Sequence, residues 1–526
     1  MAKLHGWRLS KPLPFLGNVH EPTPGEQSQA NGLKPAGQGE VRRLSLGVLF
    51  RRASRLSAAS VIGSAVGLPV TFLAARWLGP TRFGTAQTVL LAYAYAALLR
   101  SGIFEAGVRA YIHHSSRGEL AQARKAQNVA VSFESVVSIV PGLILLGGAF
   151  VFHDHLRRLG FTLAPVAVLA ASVSSYFGGL YSARERFDIV ATASLVRALM
   201  GPALLLAGVS WIGATALFIA PTLADLLIIA FYATRRPRLG LRPDFTFVDA
   251  RPLFRAGLPL GALPVVYWAY RLVGSTSVAL GTTARTYGAY AFAAAPVGVV
   301  SGAVAAMHAV LTPAVWGEMA TDGGDTRWHS EANRVTVSLV LIAGAATNLA
   351  QAVFKPVVQA FVPQFHAAIS IFDVLSGNIL LLSVAAIPSL VLTSTRVNRQ
   401  GRYLAVWTVA LGVDALANAV ALLLGHGPVA IAVNDIWIQL VVVVVIFALA
   451  WSRVGGRSQG RALITASGLA LMTAAVGALL HLMGVDSTLS TRWGLQLAGR
   501  LLVAAAPWAL AAAGLRRSLR VPNEAR

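Results

Sequence analysis

Residues 74–109 read AARWLGPTRFGTAQTVLLAYAYAALLRSGIFEAGVR, and this stretch decides how the chain folds. The first apolar run is expected to end at Gly79 and Pro80, because proline cannot donate a helix hydrogen bond and glycine tolerates a turn. The next apolar run, 85–104, is about long enough to cross the hydrocarbon of a bilayer. The stretch therefore predicts the outer end of one membrane helix, a tight turn, and a second helix that returns.

Composition assigns the chain to a broad class. Of its 526 residues 56% are hydrophobic and only 12% are charged, which indicates a polytopic membrane protein rather than a soluble one. The sequence contains no cysteine, so disulfides, thiol nucleophiles and cysteine metal sites are excluded. It also lacks the phosphate-cradling glycine loop followed by Lys-Ser/Thr, which excludes ATP hydrolysis by that route.

The formal charge of +23 points to membrane topology rather than to nucleic acid. The arginines lie between apolar runs and do not form one basic face, so no nucleic-acid partner is predicted. With the amino terminus inside, most basic residues fall in cytoplasmic tails and loops. This bias predicts a multi-pass protein of the inner (plasma) membrane with both termini in the cytoplasm.

Apolar runs of sufficient length predict an all-α fold with about 14 transmembrane helices. They form two pseudo-symmetric lobes of six helices each, followed by a terminal helix pair. The predicted domains are a disordered basic cytoplasmic tail (1–56), an N-terminal lobe (57–232), a basic cytoplasmic linker (233–254), a C-terminal lobe (255–452), and the helix pair with a cytoplasmic tail (453–526).

Matching turns indicate that the two lobes are repeats. LGPTRFG (78–84) precedes the second helix, and LGTTARTYGAYAFA (280–293) precedes the eighth. WIGATA (211–216) lies between helices five and six, and HGPVAIA (426–432) between eleven and twelve. Because the helices follow in the same order, the repeat is parallel, with a pseudo-twofold axis along the membrane normal.

The first turn resembles the opening hairpin of bacterial polysaccharide flippases, which belong to the multidrug/oligosaccharidyl-lipid/polysaccharide exporter superfamily. The residues that match are Ala75, Arg76, Leu78, Gly79, Pro80, Phe83 and Gly84. Residues 251–281 look like the family's seventh helix, with a Gly-Leu-Pro opening and a charged residue, Arg271, partway along. Residues 361–376 and 415–432 are similar to its later helices, whereas His426 and the region of Asp435 do not align.

The resemblance implies a lipid-linked oligosaccharide substrate, whose diphosphate cannot cross hydrocarbon without a hydrated, positive cavity. It also implies that helices one, two and seven line the cleft between the lobes, and these helices carry Arg76, Arg100 and Arg271. An arginine in a membrane helix costs about 2.5–3.5 kcal/mol on insertion scales and normally faces a partner or a watery cavity. Arg100 and Arg271 are the first candidates for substrate binding.

Each of these arginines also has a structural interpretation. Arg76 is close enough to a helix end to snorkel to the interface, and Arg197 either faces the cavity or packs behind it. Pairing with an acid such as Glu105, Glu134 or Asp225 is the general alternative. All four arginines nevertheless stand as candidate substrate-binding residues.

Acidic residues inside the membrane are candidates for coupling to Na⁺ or H⁺. Asp414 and Asn418 lie one helical turn apart and therefore share a face, which suits an oxygen site, although such a pair also forms simple helix–helix hydrogen bonds. Asp373 and Asp435 are further intramembrane acids that could bind such a cation, and Glu134 and Asp225 are the other candidates retained. No other cofactor and no metal site is predicted.

The function that these features favour is a flippase for polyprenyl-diphosphate-linked oligosaccharide in polysaccharide biosynthesis, such as that of O-antigen or exopolysaccharide. The lobes would rock about a basic central cavity and carry the substrate from the inner to the outer leaflet. A multidrug or cation antiporter predicts an acidic cavity, which the arginines disfavour. A membrane enzyme that polymerises, ligates or transfers sugars needs larger external loops than this chain has. We expect a non-enzymatic monomer whose partners are its lipid-linked substrate and membrane lipids, with assembly onto polymerase or export machinery left open.

Overall fold

A computed structural model of the chain describes residues 46–99, 102–184, 186–235, 241–320, 325–394, 397, 399–454, 457–482 and 491–518. The chain divides into two units, Met1–Leu49 and Phe50–Arg526, and the packing described below is that of the second. Most of the predicted tail, residues 1–45, lies outside the described residues. The remainder of that tail is the beginning of the first described helix.

The regular secondary structure of the described residues is helical and includes no strand, as the sequence predicts. The helices are α1 (Leu46–Leu98), α2 (Ile103–Ser116), α3 (Leu120–Val151), α4 (His155–Ala183), α5 (Phe187–Ile212), α6 (Ala216–Thr234), α7 (Phe247–Gly281), α8 (Ala284–Ala320), α9 (Asp325–Phe361), α10 (Ala368–Leu375), α11 (Gly377–Thr393), α12 (Gln400–Leu423), α13 (Pro428–Val454), α14 (Arg457–Leu482) and α15 (Thr491–Ser518). Helices α1–α6 are called the N-terminal half below, and α7–α13 the C-terminal half.

The predicted turn at Gly79 is present as a break within α1. Gly79 has φ 72° and ψ 166°, a conformation open essentially to glycine alone, and Pro80 follows it. The segment after the break ends at Leu98 rather than at residue 104, because Gly102 adopts φ 72° and a new helix, α2, begins at Ile103. Arg100 lies outside the described residues.

Among the described residues, eight helical segments are long and apolar enough to cross a membrane, or nine if one bent pair is a single span. One of these segments, 188–234, contains α5 and α6, which pack against each other. The protein is therefore a multi-pass membrane protein, and the count of about 14 spans stays a prediction.

The C-terminal half starts earlier than the sequence indicates. Helix α7 begins at Phe247, so the last residues of the predicted linker (233–254) are helical. The reason is tertiary: Ala250 and Leu253 are buried against Ile103 and Val129 of the N-terminal half, and burial of an apolar face stabilises this first part of α7.

The two halves touch closely where glycines replace side chains. A Cβ atom at Gly84 of α1 would lie 2.7 Å from the amide nitrogen of Gly288 of α8, and closer still to the carbonyl oxygen of Ala284. A Cβ atom at Gly288 would in turn collide with the carbonyl oxygen of Pro80. Each glycine thus meets the carbonyl oxygen of the residue one turn before the other glycine, as expected for positions related by the pseudo-twofold repeat.

Aromatic rings surround this glycine contact. Phe83 of the N-terminal half packs against Phe292 and Phe365 of the C-terminal half, with ring centroids 6.4 and 5.9 Å apart. Phe72 lies 4.6 Å from Phe292 by the same measure. The halves are therefore closed against each other at the Gly79 end, which is the predicted external side.

Further contacts join the halves towards the other end of the molecule. The hydroxyl groups of Tyr95 and Thr276 are 2.7 Å apart. Beyond them, Gly102 and Gly257 approach so closely that a Cβ on either would collide with the carbonyl oxygen of the other. The halves are thus in backbone contact near both ends of the helices.

The terminal helices α14 and α15 pack against α9, and a buried arginine joins them. Arg500 is 1% exposed and donates to the carbonyl oxygens of Ala352 (3.1 Å), Leu480 (2.6 Å) and Gln351 (3.4 Å). Arg500 of α15 therefore has a structural position, in which it bonds the backbones of α9 and α14.

Replacing Arg500 with methionine should lower the melting temperature of the detergent-purified protein. Interhelical hydrogen bonds in membrane proteins contribute about 0.6 kcal/mol each, so losing three should destabilise the protein by about 2 kcal/mol. The measurement is intrinsic-fluorescence melting, with Arg285→Met, at an exposed position, as the matched control. Equal melting temperatures for the two variants would contradict a structural role for Arg500.

Candidate functional site

Two carboxylates and an amide meet in the C-terminal half. The Nδ2 atom of Asn418, on α12, donates to Asp414 Oδ1 and to Asp435 Oδ1, at 3.1 Å in each case. Asn434 Nδ2, next to Asp435 on α13, donates to Asn418 Oδ1 at 3.1 Å. Asp414 and Asn418 are buried. The predicted Asp414–Asn418 pair is thus part of a larger site, called the carboxylate cluster here and defined as Asp414, Asn418, Asn434, Asp435 and Tyr290.

Helices α7 and α8 complete the carboxylate cluster. The Tyr290 hydroxyl donates to Asp435 Oδ2 at 3.2 Å, and the Tyr270 hydroxyl donates to the backbone oxygen of Asp435 at 3.3 Å. The carboxyl group of Asp435 also lies directly against Gly274, where any side chain would collide with it. Asp435 can reach Asn418 and Tyr290 together because α7 carries no Cβ at that point.

The chemistry of the carboxylate cluster suits a hard cation or a shared proton. Carboxylate and amide oxygens are the ligands that such cations prefer, and two carboxylates in one site repel each other unless positive charge lies between them. Within the described residues there is no group of three His, Cys, Asp or Glu side chains placed to hold a metal ion. The arrangement therefore fits Na⁺ or H⁺ better than a transition metal.

Arg271 lies beside the carboxylate cluster. It is one turn before Gly274 on α7, and its Nη1 atom is 3.4 Å from Oε1 of Gln439, which is one turn after Asp435 on α13. Its Nη2 atom is 3.4 Å from the Ser301 hydroxyl. Both hydrogen bonds are long, and the side chain is only partly buried. The guanidinium, which has five N–H donors, therefore retains capacity for an anionic ligand.

In the N-terminal half, two residues predicted for different roles form an ion pair. Arg197 of α5 is paired with Asp225 of α6, and the Ser174 hydroxyl of α4 donates to the same carboxylate at 3.0 Å. Asp225 is 8% exposed at its side chain and Arg197 47%. This corresponds to the structural interpretation of Arg197, in which an acid partner neutralises it.

Two further candidates, Glu134 and Arg76, belong neither to the carboxylate cluster nor to the Arg197–Asp225 ion pair. Glu134 is fully buried on α3, one turn before Ser138, whose hydroxyl is 2.6 Å from that of Tyr176. Arg76 is exposed near the break in α1, and its backbone oxygen accepts a hydrogen bond from Gln364 Nε2 at 2.7 Å. The exposed position of Arg76 agrees with a side chain that reaches the interface.

Sequence reasoning named Asp435 only as one of several intramembrane acids and did not connect it with Asp414. It missed Tyr290, Asn434 and Gln439 entirely. Helical spacing relates residues on one helix, whereas Asp414 and Asp435 lie on α12 and α13. The sequence feature that could have indicated this proximity is the short turn between α12 and α13, because it makes the two helices neighbours.

Comparisons with known proteins agree with this architecture. The protein family model described as "Polysaccharide biosynthesis protein" matches residues 49–316. No curated protein matches the chain.

Three solved structures share the fold. The lipid II flippase MurJ in an inward closed conformation has a TM-score of 0.66 at 12% identity, covering 88% of this chain and 99% of its own. An inward-facing multidrug resistance MATE family transporter of the MOP superfamily has a TM-score of 0.58 at 12% identity, covering 78% and 99%. A MOP superfamily transporter from Pyrococcus furiosus has a TM-score of 0.52 at 13% identity, covering 77% and 95%.

At these identities the structural likeness establishes only that the chain shares its fold with MurJ and with the two MOP superfamily transporters. The family model spans more than half of the chain, from near the start of α1 through α7 and most of α8. The chain therefore belongs to the polysaccharide biosynthesis protein family.

Proposed function

We propose that the protein is a flippase that moves a polyprenyl-diphosphate-linked oligosaccharide from the inner to the outer leaflet of the plasma membrane. Membership of the polysaccharide biosynthesis family and a fold shared with a lipid II flippase support this proposal. The single observation that carries it is Arg271, a partly buried cation in a membrane helix whose side-chain hydrogen bonds within the described residues are two of 3.4 Å.

An arginine in this setting suits a diphosphate. Its planar fork offers several donors to phosphate oxygens and keeps its charge at any relevant pH. No ion pair within the described residues involves Arg271, in contrast to Arg197, which is neutralised by Asp225. Arg271 therefore has the stronger claim to contact the substrate, with Arg100 as the second candidate.

The carboxylate cluster is proposed to couple transport to Na⁺ or H⁺. The cluster and Arg271 are connected through two helices. Helix α7 carries both Arg271 and Gly274, which contacts Asp435. Helix α13 carries both Asp435 and Gln439, the hydrogen-bond partner of Arg271. A cation that drew Asp414 and Asp435 together would shift α12 and α13, and with α13 the Gln439 partner of Arg271. Binding of the cation and of the anionic substrate would then influence each other.

The alternative transport function is a multidrug or cation antiporter. The acidic carboxylate cluster favours it, as does the fold shared with a MATE family transporter. A substrate assay distinguishes the two functions, because an antiporter moves cationic drugs and leaves the lipid-linked sugar in place.

We also propose that the protein is not an enzyme. We propose that it works as a monomer within the polysaccharide assembly machinery.

The test is a leaflet-protection assay in sealed proteoliposomes with a panel of labelled polyprenyl-diphosphate oligosaccharides. Wild-type protein should equilibrate the lipid between leaflets, and Arg271→Ala should slow this about ten- to a hundredfold, since hydrogen bonds to charged groups are worth about 1.5–3 kcal/mol. Arg285→Ala, at an exposed position, is the matched control. Efflux of a fluorescent cationic drug without any lipid movement would support the antiporter instead.

A further inference from the structure

A pocket lies where the segment between the halves meets the N-terminal half. It has a volume of about 450 Å³ and is open on one side. Its walls are helices α3 and α4 and residues 241–245 of the connecting segment. Neither the carboxylate cluster nor Arg271 takes part in it, so the pocket is separate from the proposed transport site.

The connecting segment is anchored over this pocket by hydrogen bonds from its backbone. The amide nitrogen of Arg242 donates to Asn128 Oδ1 at 3.2 Å, and that of Asp244 donates to the Ser132 hydroxyl at 2.9 Å. Both acceptors are on α3, and Phe245 adds a ring contact to Phe133 of the same helix at 6.0 Å. These contacts hold residues 241–245, which form the roof of the pocket, against α3.

The interior of the pocket is apolar and continues into a surface that faces lipid. Val131, Ile139 and Leu169 line it. Farther along α3, Val140 and Leu143 are about half exposed, at 49% and 53%, as expected of a helix face against hydrocarbon. The pocket thus opens towards the bilayer rather than towards an aqueous cavity.

Exposed apolar residues mark the polar boundary of the bilayer at the roof of the pocket. Phe245, Phe247 and Val248 are 58%, 65% and 79% exposed. Such residues next to charged groups are typical of a segment that rests at the membrane interface. The predicted topology puts this interface on the cytoplasmic side, where anionic lipids attract basic segments.

The rim of the pocket carries net positive charge. Arg242 lines the pocket, and Arg124 lies one turn before Asn128 on the same face of α3. Lys125 is paired with Asp249 at 2.8 Å, so these two charges offset each other. The backbone N–H and the side-chain hydroxyl of Thr246 both donate to Asp244 Oδ1 and lower the pKa of Asp244. The carboxylate of Asp244 is thus hydrogen-bonded within its own turn.

We propose that this pocket binds one anionic phospholipid. An acyl chain lies along Val131, Ile139 and Leu169, and the phosphate lies at the rim between Arg242 and Arg124. The volume is in the range of small-molecule sites, about 300–1,000 Å³, and accommodates a chain while the headgroup stays outside. The bound lipid packs under the connecting segment and strengthens its attachment to α3. This inference does not depend on which substrate the protein transports.

The test uses the full-length protein in detergent, with the melting temperature followed as dioleoyl-phosphatidylglycerol or dioleoyl-phosphatidylcholine is added. Phosphatidylglycerol should stabilise the wild type at lower concentrations than phosphatidylcholine. Arg242→Ala should weaken the apparent affinity for phosphatidylglycerol about fivefold, the contribution of one basic residue near an anionic surface. Ser135→Trp, which fills the pocket, should remove the preference for phosphatidylglycerol.

Two controls match these variants. Gly147→Trp adds a bulky side chain to α3 two turns beyond Ile139, where a new Cβ would meet no atom within 4 Å, and Arg285→Ala removes an exposed arginine elsewhere. Both should respond to phosphatidylglycerol as the wild type does. Equal stabilisation by the two lipids, or an unchanged response in both Arg242→Ala and Ser135→Trp, would overturn the proposal. Arg242→Ala keeps the test decisive if Ser135→Trp does not fold.

Discussion

Gly84→Leu is expected to keep the two halves of the protein apart at the Gly79 end and to reduce transport at least about fivefold. Gly84 packs on the backbone of α8, where even a Cβ atom would lie 2.7 Å from the amide nitrogen of Gly288. Real Cβ atoms do not approach backbone atoms so closely, and neither helix can yield without moving as a whole. Closure at this end and a leucine at this position are therefore incompatible.

Closure matters because alternating access requires each end to be sealed while the other is open. Inserting methylene groups into a packed contact typically costs about 1–3 kcal/mol, which shifts an equilibrium about 5- to 150-fold. The aromatic contacts of Phe83 with Phe292 and Phe365 would be lost with the glycine contact. The open state at this end should then dominate.

Because the chain contains no cysteine, one introduced cysteine reports on this opening without background. Phe83→Cys, at a fully buried position between the halves, should react slowly with a maleimide alone and at least about fivefold faster together with Gly84→Leu. The matched control is Gly147→Leu, where a new side chain would meet no atom within 4 Å. Equal labelling rates in all three backgrounds would show that Gly84 does not hold the halves together.

Asp435→Asn is expected to abolish any stimulation of transport by a cation gradient. The substitution preserves the shape of the side chain while removing one of the two charges that face each other across Asn418. A cation at 100 times its dissociation constant stabilises a protein by about 2.7 kcal/mol, and the variant should lose that stabilisation. Asp414→Asn should behave in the same way because both carboxylates bond Asn418 and both would supply oxygen ligands to the cation.

The melting temperature measured in NaCl and in choline chloride, across a range of pH, distinguishes the two coupling ions. Stabilisation of the wild type by Na⁺ identifies sodium, and a pH-dependent stability without a Na⁺ effect identifies the proton. Asp188→Asn, at an exposed carboxylate paired with Arg186, is the control that should leave either response unchanged. Wild-type responses in both Asp414→Asn and Asp435→Asn would remove the carboxylate cluster from the coupling mechanism.

Local features of the fold were predictable because local sequence controls them. Gly79 and Pro80 interrupt α1 at the expected place, since proline lacks the donor and only glycine adopts the observed φ and ψ. The end of the second membrane segment was not predictable to the same degree. Gly102 breaks the helix where its backbone touches Gly257, a residue far away in the chain, and nothing within 85–104 encodes that neighbour.

The same division holds for the site. Asp414 and Asn418 share a helix, so spacing alone predicted that they would be partners. The pairing of Arg197 with Asp225 was only one of several alternatives, because an isolated arginine in a membrane helix indicates a partner without naming it.

By itself, the sequence determined that the protein is a helical multi-pass membrane protein with a glycine-proline break and repeated halves, because hydrophobic length and backbone chemistry are local properties. Only the tertiary structure decided that Asp435 joins Asp414, that Gly84 meets Gly288, and that Arg271 stays loosely held. These outcomes depend on which faces of separate helices meet. A contact between helices is set by the packing of both, and the spacing of residues along either helix does not contain it.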